Sequence, residues 1–199
     1  MATGADFAES FAALVLAAGS ASRFGGGKLT ADYAGRPLLH HALAAARAAP
    51  AGSVTVVTGS DAEAVAACVR AFDPEIRLVH APDHAEGMAA SLRAGIAGLP
   101  QGTAAAFVFL GDMPRVPHTV LAPLAQAVAD GAPAAAPVFA GRRGNPVVLA
   151  KTVFAAVSAL EGDVGARPIL QRLGARLALV EATDDGVLFD VDEPGDLAR

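Results

Sequence analysis

Two stretches of this chain are apolar at every position until they stop abruptly: AALVLAAG at 12–19 and AAAFVFLGD at 104–112. A strand with one wet face alternates apolar and polar residues. A strand with no polar face must be covered on both sides, which is the situation of a central strand in a parallel sheet flanked by helices. Shorter runs of the same kind, SVTVVTG and IRLVH, alternate along the chain with longer alanine-rich stretches of helical periodicity. That alternation predicts a three-layer α/β/α architecture around a mostly parallel sheet. Only 5% of the residues are aromatic although 53% are hydrophobic, so the core is built from Ala, Val and Leu, which suits close packing of helices on a sheet.

The expected order of elements follows from the punctuation. A strand over 12–17 leads, past a glycine-rich loop, to a helix opening at Pro37, where the missing N–H costs nothing. SVTVVTG ends at Gly59, and Ser60 with Glu63 three residues later forms the pattern of a capping box for the helix DAEAVAACVRAF. IRLVH, the helix in MAASLRAGIAGL, the strand AAAFVFLGD and a helix from Pro117 to about Asp130 complete the alternating part. Beyond it, APVFAGRRGNPVVLA predicts two short strands joined by a Gly-Arg turn, a small antiparallel element. Helical segments in KTVFAAVSAL and ARPILQRLGA follow, then strands in RLALVEA and VLFDV. A length of 199 residues with no linker or repeat predicts a single domain over 1–199.

Charge and cysteine usage exclude several function classes. With 15 basic and 20 acidic residues the net charge is −5, the wrong sign for gripping nucleic acid or an anionic membrane. The single cysteine, Cys68, leaves no intramolecular disulfide and no cysteine-rich metal site, and its helical setting predicts a small buried hydrophobe. The five histidines show no ligand spacing, and His40 and His41 fall in a helix start. The first residues carry no basic region before an apolar stretch, and that stretch is far too short to span a bilayer. A cytoplasmic location is the expectation.

The segment LVLAAGSASRFGGGKL at 14–29 carries the chemistry. It follows a strand, so in a parallel sheet it lies where ligands bind. A P-loop would need a glycine where Ser22 stands and a Ser or Thr where Leu29 stands; a dinucleotide fingerprint would need a glycine at Ala21. Both patterns fail. What remains is a backbone that can converge N–H groups on phosphate oxygens, with Arg23 and Lys28 set into it as cations. The strand AFVFLGD ends in Asp112, and VLFDV ends in Asp190 and Asp192. Carboxylates at the same sheet edge as a phosphate loop are what Mg²⁺ requires, since that ion takes few carboxylates and completes its shell with phosphate oxygens and water.

In order and over nearly the whole chain, LVLAAGSASRFGGGKL, LGDMP, GRRGNPVVL, LEGDVGAR and DVDEPGDL resemble the molybdenum cofactor cytidylyltransferases. These belong to the Rossmann-like nucleotidyltransferases, with the molybdopterin guanylyltransferases and the sugar-nucleotide pyrophosphorylases. The resemblance implies Mg²⁺-dependent transfer of CMP from CTP to the terminal phosphate of molybdopterin, with pyrophosphate released. It implies that Leu16, Ala17, Ala18 and Gly19 hold base and ribose, with Gly59 at the end of the neighbouring strand. Ser20, Arg23 and Lys28 would contact the triphosphate, Asp112 and Asp192 would ligate the metal, and Gly87 and Ser91 would read the base. The acceptor would lie against Arg142, Arg143, Gly144 and Asn145 and against Gly162, Asp163, Gly165 and Arg167.

The Ala-Ala-Gly opening of the loop favours a pyrimidine, because guanylyl-transferring relatives usually have Ala-Gly-Gly and a Cβ at Ala18 narrows the space beside the base. One departure stands out. The family usually carries Gly-His-Pro where this chain has Gly144-Asn145-Pro146, and asparagine cannot take up a proton. Three alternatives stay open: transfer to a sugar or alcohol phosphate, GTP-dependent guanylyl transfer to molybdopterin, and a non-catalytic module that presents cofactor to a molybdoenzyme or its chaperone. The expected assembly is a monomer or dimer.

Overall fold

The computed structural model describes residues 9–21 and 24–198. Its main sheet has eight strands. β1 (Phe11–Ala17) lies at the centre, parallel to β4 (Ser53–Thr58) on one side and to β6 (Ala105–Leu110) on the other. β5 (Arg77–His80) continues in parallel beyond β4. Beyond β6 the direction changes: β9 (Val147–Ala150) runs antiparallel between β6 and β7 (Ala134–Phe139). β10 (Leu177–Glu181) closes that side parallel to β7, which also pairs with the short β8 (Arg142–Arg143). The sheet is therefore mixed and mostly parallel, as the sequence predicts. A separate two-stranded ribbon, β2 (Asp32–Tyr33) with β3 (Arg36–Pro37), follows the glycine-rich loop.

The reason β1 is apolar throughout is now explicit, because every one of its residues is buried. Ala13, Val15 and Ala17 face one core, while Leu14 and Leu16 face the other. The first core is closed by α1 (Leu38–Ala48), α2 (Ala62–Phe72) and α4 (Leu121–Ala129), whose Leu39, Leu43, Val65, Val69 and Leu124 meet Phe107 and Phe109. The second lies under α3 (Met88–Ala97), α5 (Phe154–Val157) and α6 (Arg167–Leu173), through Leu92, Val157, Ile169 and Leu170. Burying a side chain the size of Leu or Phe contributes about 1.5–3 kcal/mol each, so these two layers hold the sheet edge that carries the loops. Among the described residues no helix is long and apolar enough to cross a membrane.

Three local expectations are overturned. The capping box at Ser60 and Glu63 does not form: Asp61 occupies the N-cap position without a side-chain cap, and Ser60 Oγ instead donates to the Gly19 carbonyl at 3.0 Å. Tertiary contact takes the hydroxyl that helix capping would have used. VLFDV is not a strand. Asp184 Oδ1 accepts from the Gly186 N–H at 2.9 Å and starts a 3₁₀ turn over Asp185–Leu188, after which the chain is extended but outside the sheet. Finally, KTVFAAVSAL provides one turn of 3₁₀ helix, Lys151–Val153, and only the four residues of α5.

Candidate active site

The carboxyl ends of β1 and β6 are tied together, since the Gly111 N–H donates to the Leu16 carbonyl at 2.9 Å. Leu16, Ala18, Gly19 and Ser20 from the first end and Asp112 from the second open onto a cavity of 660 Å³. Its far wall is Gly87, Met88 and Ser91 at the start of α3, and its floor includes Asp190 and Asp192. Gly59 does not line it. A Cβ there would lie 2.4 Å from the Ala18 carbonyl oxygen, so glycine at 59 permits the close approach of the β4 end that shapes the loop. Gly87 is required twice over, with φ of +112° and with its missing Cβ 2.6 Å from the Gly162 carbonyl carbon.

Charge is concentrated where these ends meet. Gly27, in the left-handed region at φ 64°, starts a 3₁₀ turn over Lys28–Thr30 that aims Lys28 at the sheet edge. Lys28 Nζ lies 2.7 Å from Asp112 Oδ2 and 4.0 Å from Asp192 Oδ1, with only 12% of the lysine side chain exposed. Burial of this kind reduces screening and makes the pair count for more than a surface ion pair. Burial first, and then the Asp192 and Asp112 carboxylates, holds the Asp190 carboxyl above its usual range. A smaller cavity of 210 Å³ opens on the other side of the loop and is lined by Ala17, Gly27, Lys28, Thr30 and Asp61. Among the described residues no three of His, Cys, Asp and Glu form a metal-binding cluster. Arg23 lies outside the described residues.

The residues expected to face an acceptor gather around a second cavity, of 430 Å³. Arg142, Arg143, Gly144 and Asn145 line one side of it, and Asp163, Gly165 and Arg167 the other. Its deeper wall is apolar, made by Leu92, Val108, Val147 and Leu170. Gly144 is pinned, because a Cβ there would meet the Val187 carbonyl oxygen at 2.1 Å, and the Asn145 N–H donates to that same oxygen at 2.9 Å. Gly162 is not among the lining residues; its carbonyl accepts from the Ala89 N–H at 3.0 Å, and Asp163 Oδ1 accepts from the Met88 N–H at 3.2 Å. These two bonds fasten the 160–165 loop to the unsatisfied amide end of α3.

Leu16, Met88, Leu110 and Asp163 line both large cavities, which therefore adjoin. Sequence reasoning singled out neither Met88 nor Leu110. The signal was available for Leu110, the last residue of a central strand at the edge where ligands bind. Met88 has no comparable marker, because a methionine at a helix start reads as core. In chemical terms the arrangement offers one cavity edged by the Asp112, Asp190 and Asp192 carboxylates, with the Lys28 ammonium paired to Asp112, joined to another that is apolar at depth and arginine-rich at its rim.

Residues 13–177 match the family model described as the MobA-like NTP transferase domain. Nicotine blue oxidoreductase of Paenarthrobacter nicotinovorans is 31% identical over 187 residues, covering 90% of each chain. The bifunctional protein GlmU of Xanthobacter autotrophicus is 36% identical over 130 residues, which is 64% of this chain and 29% of that one. Among solved structures, Rv0371c from Mycobacterium tuberculosis superposes with a TM-score of 0.81 at 26% identity, covering 96% of this chain and 97% of the other.

Proposed function

This chain belongs to the MobA-like NTP transferase family and is a nucleotidyltransferase, and we propose that it transfers CMP from CTP to the terminal phosphate of molybdopterin. The observation that carries this reading is that the cavity lined by Asp112 and Asp192, with Lys28 paired to Asp112, adjoins the arginine-rimmed cavity. On this reading the nucleotide occupies the first cavity with its phosphates toward Asp112 and its partner Lys28, and a large polar heterocycle occupies the second with its phosphate toward the wall the two cavities share. Support for a pyrimidine comes from the Ala-Ala-Gly opening of the loop, whose Ala18 lines the first cavity.

The reaction needs little proton chemistry from side chains. A phosphomonoester has a second pKa of about 6 and reaches the site mostly as a dianion. Its oxygen forms a bond to the α-phosphorus while the bond from that phosphorus to the bridging oxygen breaks, and pyrophosphate leaves with the electron pair. The work of the chain is to bring two anions together and to hold attacking and leaving oxygens in line. Lys28 neutralises the triphosphate, the loop amides around Gly19 and Ser20 cradle it, and Arg142, Arg143 and Arg167 draw in the acceptor. Asp112 and Asp192 suit a Mg²⁺ ion, because one cation, the Lys28 ammonium, already lies within 4.0 Å of both. Bound there, the metal would supply charge neutralisation at the phosphates.

The match to a protein named an oxidoreductase favours a second reading, a redox reaction, for which a bound dinucleotide would be the ordinary reductant. Against it stands Ala21 at the position where a dinucleotide loop needs glycine. Incubation with Mg²⁺, each of four nucleoside triphosphates, and molybdopterin or a sugar phosphate, followed by assay of pyrophosphate release, tests the proposal. The expected result is release with CTP and molybdopterin. Release only with a sugar phosphate overturns the acceptor, and a GTP preference overturns the base. Consumption of NADH or NADPH without pyrophosphate release overturns the transfer reading altogether.

A further inference from the structure

Lys28, Asp112 and Asp192 come from three segments far apart in the chain, and the one that carries Asp192 lies outside the sheet. Ladder hydrogen bonds therefore do not set its distance from the other two. All three segments meet at Arg115, three residues beyond Asp112. Arg115 Nε donates to Tyr33 Oη at 2.9 Å, and Tyr33 belongs to the ribbon that follows Lys28. Its guanidinium lies 4.1 Å from the centre of the Phe189 ring, one residue before Asp190. Its own carbonyl is so close to Gly186 that a Cβ there would approach to 2.0 Å, and next to it the Val191 N–H donates to the Asp112 carbonyl at 3.0 Å. Tyr33, Leu38 and Val191 form a small buried cluster, joined by Leu29 and Phe189. That cluster is the shared floor beneath Lys28 on one side and the two C-terminal aspartates on the other.

From this geometry we infer that Arg115 is a positioning residue: through Tyr33 and Phe189 it holds the segment 186–192, and with it the Asp192 carboxylate, at its distance from Lys28 and Asp112. It touches no reacting atom. Its guanidinium serves both contacts at once, since the planar group covers an aromatic face while its Nε–H points along the plane to the tyrosine oxygen. The inference rests on the reading of Asp112 and Asp192 as the metal carboxylates for its effect on turnover, but its structural half does not.

The test uses the ligand-free protein and three variants, Arg115→Met, Arg115→Lys and Tyr33→Phe. Hydrogen exchange should be faster in 186–192, the stretch that contains the Val191 amide, in Arg115→Met and to a lesser extent in Tyr33→Phe, with β1 and β6 unchanged. Arg115→Lys keeps the charge over the ring and should fall between Arg115→Met and the parent. In turnover, Arg115→Met should lower kcat by roughly tenfold or more, the scale of a small misplacement of reacting groups, and raise the Mg²⁺ needed for half-maximal rate. KM for CTP should stay within about twofold, because no base-facing residue moves. Parental exchange in 186–192 for both Arg115→Met and Tyr33→Phe overturns the inference. So does faster exchange spread evenly over the sheet, which is what a merely structural role produces. Tyr33→Phe keeps the ring in its cluster and serves if Arg115→Met does not fold. Should Asp112→Asn and Asp192→Asn turn over like the parent, the metal reading fails while the exchange result still decides the role of Arg115.

Discussion

Gly59→Ala is the sharpest probe of how the loop after β1 is held. The new Cβ would lie 2.4 Å from the Ala18 carbonyl oxygen, 2.7 Å from the Ala18 Cβ and 2.8 Å from its Cα. Comfortable contacts of this kind are about 3.5 Å or longer, so Ala18 must retreat by roughly 1 Å. Neither partner is a flexible side-chain end, and Ala18 is 3% exposed, so the backbone itself has to move. Overpacking of this kind costs about 1–3 kcal/mol. In a protein of this size each kcal/mol shifts Tm by about 2–4 °C, giving an expected fall of about 2–12 °C. Gly19 is attached to the residue that retreats, and a displacement near 1 Å at a reacting site can lower turnover by about 10²-fold. Gly19→Ala is the control, since nothing lies within 4 Å of its new Cβ and its φ is not positive. It should leave Tm within about 1 °C, as a surface substitution does, while weakening nucleotide binding by crowding the phosphate space. Thermal melting by circular dichroism and pyrophosphate release measure both. Parental Tm and turnover in Gly59→Ala, or an equal loss of Tm in Gly19→Ala, would refute the reasoning.

Asp112→Asn should keep the fold, with a lower Tm because Lys28 loses its nearest partner, and lose nearly all pyrophosphate release; activity within threefold of the parent at ordinary Mg²⁺ would remove it from the metal site. Lys28→Ala should lower kcat/KM for the nucleotide by about 10²-fold, the scale of removing one preorganised charge, and unchanged kcat/KM would return the lysine to a structural ion pair. Asn145→Ala should cost about 1–3 kcal/mol in kcat/KM for the acceptor with nucleotide binding intact, measured by varying each substrate in turn. Asp190→Asn bears on pH. Because the native state holds the Asp190 carboxyl above its usual range, it binds that proton more tightly than the unfolded chain does, and the group's contribution turns unfavourable as pH rises through the raised value. The asparagine variant should therefore be the more stable of the two at pH 7 without metal, with the difference vanishing below the ordinary carboxylate range; a parent that is more stable at pH 7 contradicts this.

What could be read from the sequence was what local physics dictates. The unbroken apolar character of β1 and β6 required cover on both faces, and the two cores supply it. The rule that ligands sit outside strand ends brought Lys28 and Asp112 to one edge although 84 positions separate them. The antiparallel pairing of β9 with β7 was legible in the Gly-Arg turn between them, but the insertion of β9 between β6 and β7 was not, because VVLA is equally apolar beside either neighbour. Nor was the fate of VLFDV, whose β-branched and aromatic residues suit a strand until Gly186 is pressed against Arg115 and Asp184 closes a turn. Gly59, Gly87 and Gly144 each admit a backbone from elsewhere in the chain, and a sequence shows the glycine without the neighbour that requires it. Arg115 was passed over for the same reason, since its partners Tyr33 and Phe189 lie 82 residues before it and in the C-terminal segment.

The reversed strand β9 has a consequence for how such a protein can change. Because β9 runs against both β6 and β7, the chain turns from the end of β7 through β8 to the start of β9 on a single edge, the one that carries Asp112. The excursion between them, residues 140–146, holds Arg142, Arg143 and Asn145, and both its ends are clamped by sheet pairing and by the Asn145 bond to Val187. It is a cassette. Apart from Gly144, which is pressed against Val187, its side chains can be exchanged without altering β1, the glycine-rich loop or the Lys28 turn, none of which lies within it. If this segment meets the acceptor, as proposed above, a lineage can try new acceptors with an old nucleotide site by rewriting codons around Gly144, and Asn145 is one such edit.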